Sequence, residues 1–272
     1  MTWGRGLLGA GTLVVASLTT VLLVTGIVIP PTVSAIVVLG YAGIALAGVL
    51  FPRLAMFAPV VARLPGGRRE IALTFDDGPD PTTTPMVLAT LARFQARATF
   101  FVLGEKARAA PEVVRAIAAA GHAIGVHGDR HDRLLALRSP RRIREEIERA
   151  QAAVAQITGQ TPRLFRPPVG LISPRTALAA KRLALVLLGW SVRGRDGLAR
   201  AHPVAVERRV TRALRPGAIV LLHDAAERGG RVPAGVAALP AILAYAARAQ
   251  LTCVPLSSLE PRPDHDRSLT SA

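Results

Sequence analysis

The sequence has one cysteine, few aromatic residues and, over residues 1–62, no acidic residue. The lone Cys253 excludes a disulfide bond within the chain, and its apolar neighbours indicate a small buried side chain rather than a nucleophile. Aromatic residues make up 4% of the chain, and no basic stripe is interleaved with them. This scarcity argues against a nucleic-acid partner, which is usually held by aromatic stacking combined with basic residues.

The charges of the chain are unevenly distributed. Residues 1–62 carry only Arg5 and Arg53, so the remainder holds 32 of the 34 basic residues and all 18 acidic ones, a net charge of +14. A basic domain suggests an anionic neighbour, such as phospholipid head groups or a polyanionic glycan. A solvated basic surface without a partner is the alternative interpretation.

Two long apolar runs occupy the N-terminus. Gly6–Ile29 and Thr32–Phe51 hold 24 and 20 uncharged residues, separated by Pro30–Pro31. Each run is long enough to cross about 30 Å of hydrocarbon as a helix. We therefore predict a membrane hairpin over residues 1–53, and the alternative is a signal peptide cleaved near Val33–Ala35. Because Arg5 and Arg53 lie on one side of a two-span hairpin, the positive-inside rule places the remaining domain in the cytoplasm.

After a predicted linker at residues 54–69, apolar runs alternate with helical patterns up to residue 260, and residues 261–272 have the composition of a disordered tail. The predicted strands are Ile71–Phe75, Ala98–Leu103, Ala123–Val126, Leu164–Arg166, Leu183–Ser191, Ala218–Leu222 and Leu251–Leu256. The predicted helices lie near 84–94, 111–120, 140–157, 174–182, 203–214 and 234–248. Such alternation predicts an α/β fold with a parallel sheet, either a barrel or a doubly wound sheet, whose chemistry gathers at the carboxyl ends of the strands.

Several predicted strands end in polar residues that a strand end does not require. Asp76 and Asp77 directly follow the first strand, and a cation would relieve the repulsion between two adjacent carboxylates. His127 and His131 follow the third strand, and histidines four residues apart can chelate one metal ion. Taken alone, the carboxylates are also compatible with a surface turn, and the histidine pair is more typical of two surface histidines.

Three further strand ends carry candidate residues. Arg166 precedes two prolines, which stiffen the backbone and orient its side chain. Asp196 follows the fifth strand, and His223 follows four apolar residues of the sixth. By itself, His223 is equally compatible with a core histidine whose hydrogen bonds are satisfied.

Together these segments resemble the polysaccharide deacetylase (NodB-homology, carbohydrate esterase) family over about residues 70–258. The first family motif matches Thr74–Pro79 in full. The His-(Ser/Thr)-x-x-His motif matches at His127 and His131, with Gly128 in place of the hydroxyl residue.

The remaining motifs match with two further departures. The Arg-Pro-Pro-aromatic-Gly motif matches Arg166–Gly170, with Val169 in the aromatic position. The Asp-Trp motif retains Asp196 but has Gly197 for the tryptophan, and the Leu-x-His motif matches Leu221–His223. These departures bear on the substrate rather than on the type of reaction.

The resemblance implies a distorted (β/α)7-type barrel and a set of residue roles. Asp77, His127 and His131 would hold one divalent metal ion, with Zn²⁺ as the first candidate. Asp76 would be the general base with Arg166 as its partner, and His223 would be the general acid, oriented by Asp196. The Val169 backbone N–H and Pro168 would line the part of the site that binds the oxyanion and the substrate.

Three functions remain open from the sequence. The first is removal of an N-acyl group, in the first place acetyl, from an amino sugar of a cell-envelope polysaccharide. The second is deacylation or deformylation of a lipid-linked amino sugar at the cytoplasmic leaflet. The third is a catalytically degenerate module that binds glycan at a membrane. The expected partners are therefore a glycan or glycolipid substrate and the membrane, without nucleic acid.

Overall fold

The computed structural model describes residues 3–25, 30–227 and 229–260. Two long N-terminal helices precede a domain in which parallel strands alternate with helices. The predicted α/β fold is confirmed, and its curved parallel sheet forms a half-barrel. The predicted tail at residues 261–272 lies outside the described residues, as do positions 26–29 of the first apolar run.

The two N-terminal helices are α1 (Trp3–Thr25) and α2 (Pro31–Leu50), and both are long and apolar enough to cross a membrane. They contact each other through the hydroxyl groups of Thr12 and Tyr41, which lie 3.0 Å apart. Most of their apolar side chains are exposed to the surroundings. A signal sequence near the N-terminus would have the same length and composition.

All pairings in the sheet are parallel. The strands are β1 (Glu70–Asp76), β2 (Ala98–Val102), β3 (Ala123–Val126), β4 (Leu164–Phe165), β5 (Val186–Leu187), β6 (Val192–Arg193), β7 (Ile219–His223) and β8 (Thr252–Cys253). Their order is β5-β4-β3-β2-β1-β7-β6, with β8 paired to β1. Among the described residues the two edge strands, β5 and β6, do not pair with each other, which leaves the barrel open on that side.

Helices cover the outside of the sheet. They are α3 (Thr83–Arg93), α4 (Gly104–Ala109), α5 (Pro111–Ala119), α6 (Pro140–Thr158), α7 (Pro174–Arg182), α8 (Pro203–Ala213) and α9 (Ala234–Arg248). In α6, the Ser139 side chain caps the helix by accepting a hydrogen bond from the Arg142 N–H at 3.3 Å. The helix ends at Gly159, whose φ of 73° suits glycine. The helix begins at the predicted residue and ends one residue beyond the predicted boundary.

The predicted strand Leu183–Ser191 is wrong in extent. Only Val186–Leu187 extends the sheet beside β4, and a separate strand, Val192–Arg193, pairs with β7 at the opposite edge. The residues between these two strands cross the open side of the barrel and include the buried Leu188. The sequence therefore shows one continuous apolar run although it forms two separate strands. The last predicted strand likewise shortens to Thr252–Cys253. Helix α4 was not predicted, since six residues are too few to reveal a helical period.

The segment predicted as a linker packs against the domain. Val61 forms a parallel bridge with Leu188, and Arg63 forms an antiparallel bridge with Ala218. These bridges lie where β5 ends and where β7 begins. Residues 61–63 therefore connect the two sides of the half-barrel opening through backbone hydrogen bonds.

Strand β1 places the site residues through its alternation. Ile71, Leu73 and Phe75 are fully buried and pack among the helices that cover the sheet. Since successive side chains of a strand point to opposite faces, Thr74 and Asp76 face the interior of the barrel. The interior row thus becomes polar toward the carboxyl end of the strand, where Asp76 lies.

Candidate active site

The carboxyl ends of the strands converge on a cleft with a volume of about 430 Å³. Asp76 is in register with His223 on β7, although the two residues are far apart in sequence. Arg166 donates its backbone N–H to the Val126 carbonyl at 3.1 Å, which places it beside His127. Of the predicted site residues, Asp76, Asp77, His127, His131, Val169 and His223 line the cleft, whereas Arg166, Pro168 and Asp196 are buried behind it.

Asp77, His127 and His131 form a group able to hold a metal ion. Each offers one ligand atom, and these atoms lie within 4.8 Å of one another. Asp77 Oδ1 lies 3.5 Å from His127 Nε2 and 3.3 Å from His131 Nε2. The same Oδ1 is buried without a hydrogen-bond partner. A buried, unpartnered carboxylate oxygen between two imidazole nitrogens fits a divalent cation.

The orientation of His127 suits a metal ligand. Its Nδ1 lies 2.7 Å from the Arg166 carbonyl oxygen, a contact in which the imidazole donates and so presents the Nε2 lone pair to Asp77. Burial lowers the pKa of His127, and this effect exceeds the opposing charges of Asp76 and Asp77. The imidazole is therefore neutral near pH 7, as ligation requires.

Asp76 forms a buried ion pair with Arg166. The Arg166 Nη1 donates to Asp76 Oδ1 at 2.7 Å and to Thr74 Oγ1 at 2.8 Å, while Nη2 donates to the Gly189 carbonyl at 2.9 Å. Burial opposes ionisation of Asp76, but the charges of Arg166, His127 and His223 outweigh it and hold the pKa below its usual range. Asp76 is therefore an oriented carboxylate at neutral pH.

His223 is paired with Asp196. The Asp196 carboxylate accepts from His223 Nδ1 at 2.9 Å and from the His223 backbone N–H at 2.8 Å. Burial lowers the pKa of His223, but the hydrogen bond and charge of Asp196, with the charges of Asp76 and Asp77, raise it to about 9. Its Nε2 lies in the cleft, 4.0 Å from Asp77 Oδ2. A protonated imidazole thus faces the group that could hold a metal.

The family model for polysaccharide deacetylase matches residues 63–188 of this chain. A chitooligosaccharide deacetylase of Bradyrhizobium sp. is 38% identical over 159 residues, which cover 58% of this chain and 72% of that protein. The chain belongs to the polysaccharide deacetylase family. The predicted family is confirmed, and with it the predicted class of enzyme, a hydrolase of non-peptide carbon–nitrogen bonds.

Two further proteins are similar to this chain. A peptidoglycan-N-acetylglucosamine deacetylase of Listeria monocytogenes is 38% identical over 156 residues, or 57% of this chain and 32% of that longer protein. This chain therefore spans about a third of the Listeria protein. The family 4 carbohydrate esterase from Streptomyces lividans superposes with a TM-score of 0.63 at 31% identity, covering 70% of this chain and 94% of that one.

The departures from the family motifs have structural consequences around the cleft. Gly128 has a φ of 91°, a conformation that glycine adopts freely and a serine or threonine would strain. Val169, in the aromatic position, also has a positive φ, of 60°, and its side chain is 47% exposed at the rim. At Gly197, a Cβ atom would lie 3.4 Å from the His223 ring. The lack of the family's tryptophan at that position therefore leaves the His223 side of the cleft open.

Sequence reasoning missed Glu227, which connects two loops of the site. Its Oε1 lies 3.2 Å from His131 Nδ1, on the side of the ring opposite Asp77. Its carboxylate also forms a bidentate ion pair with Arg133. A carboxylate behind a histidine fixes the orientation of the ring, as in carboxylate–histidine–metal arrangements. No motif indicates Glu227, because the contact depends on two loops that are 94 residues apart.

Proposed function

We propose that this protein is a metal-dependent hydrolase that removes an N-acyl group from an amino sugar of a cell-envelope polysaccharide. Acetyl is the first candidate for the acyl group. The observation that carries the proposal is one cleft that combines the Asp77, His127 and His131 triad with two charged pairs. Those pairs are Asp76 with Arg166 and His223 with Asp196. The chitooligosaccharide and peptidoglycan deacetylases among the relatives support the substrate class.

Asp77, His127 and His131 would hold the ion, and Zn²⁺ is the first candidate because one carboxylate and two imidazoles are a common donor set for catalytic zinc. When bound, such an ion would polarise the acyl carbonyl and acidify a water molecule. Asp77 contributes its buried Oδ1 to this position. Glu227 Oε1 lies 3.2 Å behind the His131 ring, at Nδ1, and would keep the ring's Nε2 directed at Asp77.

Asp76 would accept the proton of the attacking water. Its Oδ1 is occupied by Arg166, while Oδ2 lies 3.8 Å from His127 Nε2 and so faces the metal position. Because Arg166 is fully buried and makes three hydrogen bonds from its two terminal nitrogens, the carboxylate is held in one orientation. Its lowered pKa keeps it in the basic form at neutral pH.

His223 would protonate the departing amine. Asp196 holds Nδ1, so the proton to be transferred sits on Nε2 in the cleft. The raised pKa keeps this proton in place at neutral pH. The products are a free amino sugar and a carboxylic acid, acetate or formate according to the acyl group.

The oxyanion would be stabilised by the backbone N–H of Val169, at the 3₁₀ turn Pro168–Gly170. One such donor contributes about 3 kcal/mol to transition-state stabilisation. Trp190 and Leu221 also line the cleft and provide apolar surface for a small acyl group. Val169 lines the cleft with a positive φ of 60°, and backbone strain of this kind is common at active sites.

A second candidate substrate is an amino sugar linked to a membrane lipid. Helices α1 and α2 favour it, because a hairpin of two membrane-spanning helices would hold the cleft near a bilayer. The third interpretation, a degenerate binding module, is less well supported. A module that only binds glycan has no need of both an ionised Asp76 and a protonated His223.

We propose further that α1 and α2 span the membrane uncleaved, with both ends on the cytoplasmic side together with the domain. Peptide mapping of the mature protein from its native host is expected to recover segments from α1. A mature N-terminus near Ile36 would instead identify residues 1–35 as a signal peptide. Protease added to intact and to opened cells then assigns the side: a domain protected in intact cells supports the cytoplasmic placement, and a domain digested in intact cells contradicts it.

The proposed activity is tested by acyl release from three substrates with the full-length, metal-loaded protein. These are an N-acetylated chitin oligosaccharide, a peptidoglycan fragment and a lipid-linked N-acyl amino sugar, with acetate and formate both quantified. Release from at least one substrate, lost on chelation of the metal, is the expected result. Absence of release from all three, with glycan binding retained, would contradict the proposal in favour of the binding module.

A further inference from the structure

Four arginines line the cleft outside the proposed catalytic groups. The charged residues at this rim are Arg133, Arg193, Arg195, Arg231 and Glu227. Glu227 is bound to Arg133, so one cation of the four is neutralised by an ion pair. The rim therefore carries a strong excess of positive charge directly beside the floor of the site.

The other three guanidinium groups make no ion pair with a carboxylate within residues 3–25, 30–227 and 229–260. Arg231 donates from Nη2 to the Gly197 carbonyl at 2.9 Å, and Arg193 lies with its guanidinium carbon 5.8 Å from the centre of the Trp190 ring. Arg195 has a φ of 57°, an unusual conformation for arginine. All three side chains are exposed, so several donors at one rim remain available to an anionic ligand.

These arginines lie on the His223 side of the cleft. Arg195 precedes Asp196, the partner of His223, and Arg231 is hydrogen-bonded to the residue that follows Asp196. His223 protonates the departing amine in the proposed mechanism, so the sugar ring lies near it while the acyl group points toward the metal position. An anion recognised here therefore belongs to the sugar rather than to the acyl group. The small Gly197 leaves room for it.

The same segment contacts the end of the N-terminal hairpin. Arg53, just after α2, donates from Nε to the Trp190 carbonyl at 3.1 Å and from Nη2 to the Ser191 carbonyl at 2.9 Å. The backbone N–H of Ile172 also donates to the Val49 carbonyl near the end of α2, at 3.4 Å. If the hairpin spans the membrane as proposed, this rim of the cleft lies close to the bilayer surface. Sugars attached to membrane lipids through phosphate present an anion at that level.

We propose that Arg193, Arg195 and Arg231 form a subsite for a phosphate group carried by the amino sugar whose amide is cleaved. The inference rests on the proposed N-deacylase activity and bears on the second candidate substrate, the amino sugar linked to a membrane lipid. Guanidinium groups match phosphate oxygens in geometry and charge, and one or two charge-assisted hydrogen bonds correspond to about 10- to 100-fold in kcat/KM. A carboxylate on the sugar is the competing ligand.

The test compares two sugars that differ in one charged group: N-acetylglucosamine 1-phosphate and methyl N-acetylglucosaminide. The full-length, metal-loaded wild type is expected to prefer the phosphorylated sugar in kcat/KM by about 10- to 100-fold. The Arg193→Ala/Arg195→Ala variant is expected to lose most of this preference, and Arg231→Ala part of it. Arg115→Ala, at an exposed arginine of α5 outside the cleft, is the matched control and should keep the preference.

Several results would overturn the subsite. If the double variant kept the preference, the phosphate would be bound elsewhere, for example by the metal. If the wild type released acetate from both sugars equally, the subsite would be wrong although the proposed function would stand. If neither sugar were hydrolysed, binding titrations with the same proteins would test the subsite without relying on activity. Equal affinities for the two sugars would contradict the subsite. If the wild type preferred an N-acetylated amino sugar that carries a carboxylate over the phosphorylated one, the subsite would be assigned to a carboxylate.

A further arm identifies the source of the phosphate. The phosphorylated sugar is presented on a prenyl chain in phosphatidylcholine vesicles to the vesicle-inserted wild type. A higher kcat/KM than for the soluble sugar phosphate, again lost in Arg193→Ala/Arg195→Ala, supports a lipid-linked substrate. Equal values support a soluble sugar phosphate held by the same arginines.

Discussion

Asp76→Asn is expected to lower kcat by about 10²- to 10⁴-fold while leaving the bound metal in place. The substitution preserves the size of the side chain and can still accept a hydrogen bond from Arg166. It removes the negative charge and the basicity needed to take a proton from water. Because Asp76 is not among the three proposed ligands, its loss should affect turnover and not metal content.

The matched control is Asp224→Asn. Asp224 is as buried as Asp76, but it does not line the cleft, and its Oδ2 accepts a hydrogen bond from Thr84. Burial raises the pKa of Asp224 to about 7, so a neutral amide is a modest change there. Substantial activity in Asp224→Asn beside a near-complete loss in Asp76→Asn would assign the effect to the base. Wild-type turnover by Asp76→Asn would refute its role.

His223→Ala is expected to lower kcat by about 10²-fold or more and to abolish the alkaline limb of the pH profile. An ionised Asp76 and a protonated His223 together give a bell-shaped dependence of kcat/KM on pH. The pKa of Asp76 lies below its usual range and that of His223 is raised to about 9. Activity should therefore be lost toward acid as Asp76 gains a proton, and toward alkali as His223 loses one.

Asp196→Asn tests the cause of the high His223 pKa. Removing the carboxylate charge removes stabilisation of the imidazolium, so the alkaline limb should move to lower pH. A bound divalent ion offsets the charges of Asp76 and Asp77 and so changes the pKa of His223 in both proteins. The informative quantity is therefore the difference in the pH of the alkaline limb between the variant and the wild type. His202→Ala, at an exposed histidine outside the cleft, serves as the control. An unchanged alkaline limb in Asp196→Asn would contradict the assigned pair.

Much of the fold is predictable because local patterns agree with it. The alternation in β1 and the Ser139 cap, period and Gly159 end of α6 are local signals, and both elements lie where these signals place them. The run Leu183–Ser191 fails because burial, not strand pairing, explains its apolar residues. Hydropathy does not distinguish a strand from a buried crossing.

The candidate site divides in the same way. Asp77, His127 and His131 lie in motifs, and the rule that strand ends share one edge brings them together. Glu227 and the arginines of the rim lie in loops whose contacts depend on the tertiary structure. No periodicity or spacing in the sequence reports that Glu227 faces His131.

The central claim is that Asp77, His127 and His131 bind the metal ion, whereas Asp76 acts as the base. Metal content and acyl release, determined on the same samples, test this claim most directly. The samples are the full-length wild type, Asp76→Asn and His127→Ala/His131→Ala, each loaded with Zn²⁺ and freed of excess ion. We expect about one ion per chain in the wild type and in Asp76→Asn, and little in the double histidine variant. Acyl release should be rapid in the wild type alone and lowered by about 10²-fold or more in both variants. Equal metal content in the double histidine variant, or loss of the ion from Asp76→Asn, would contradict the assignment of ligands and base.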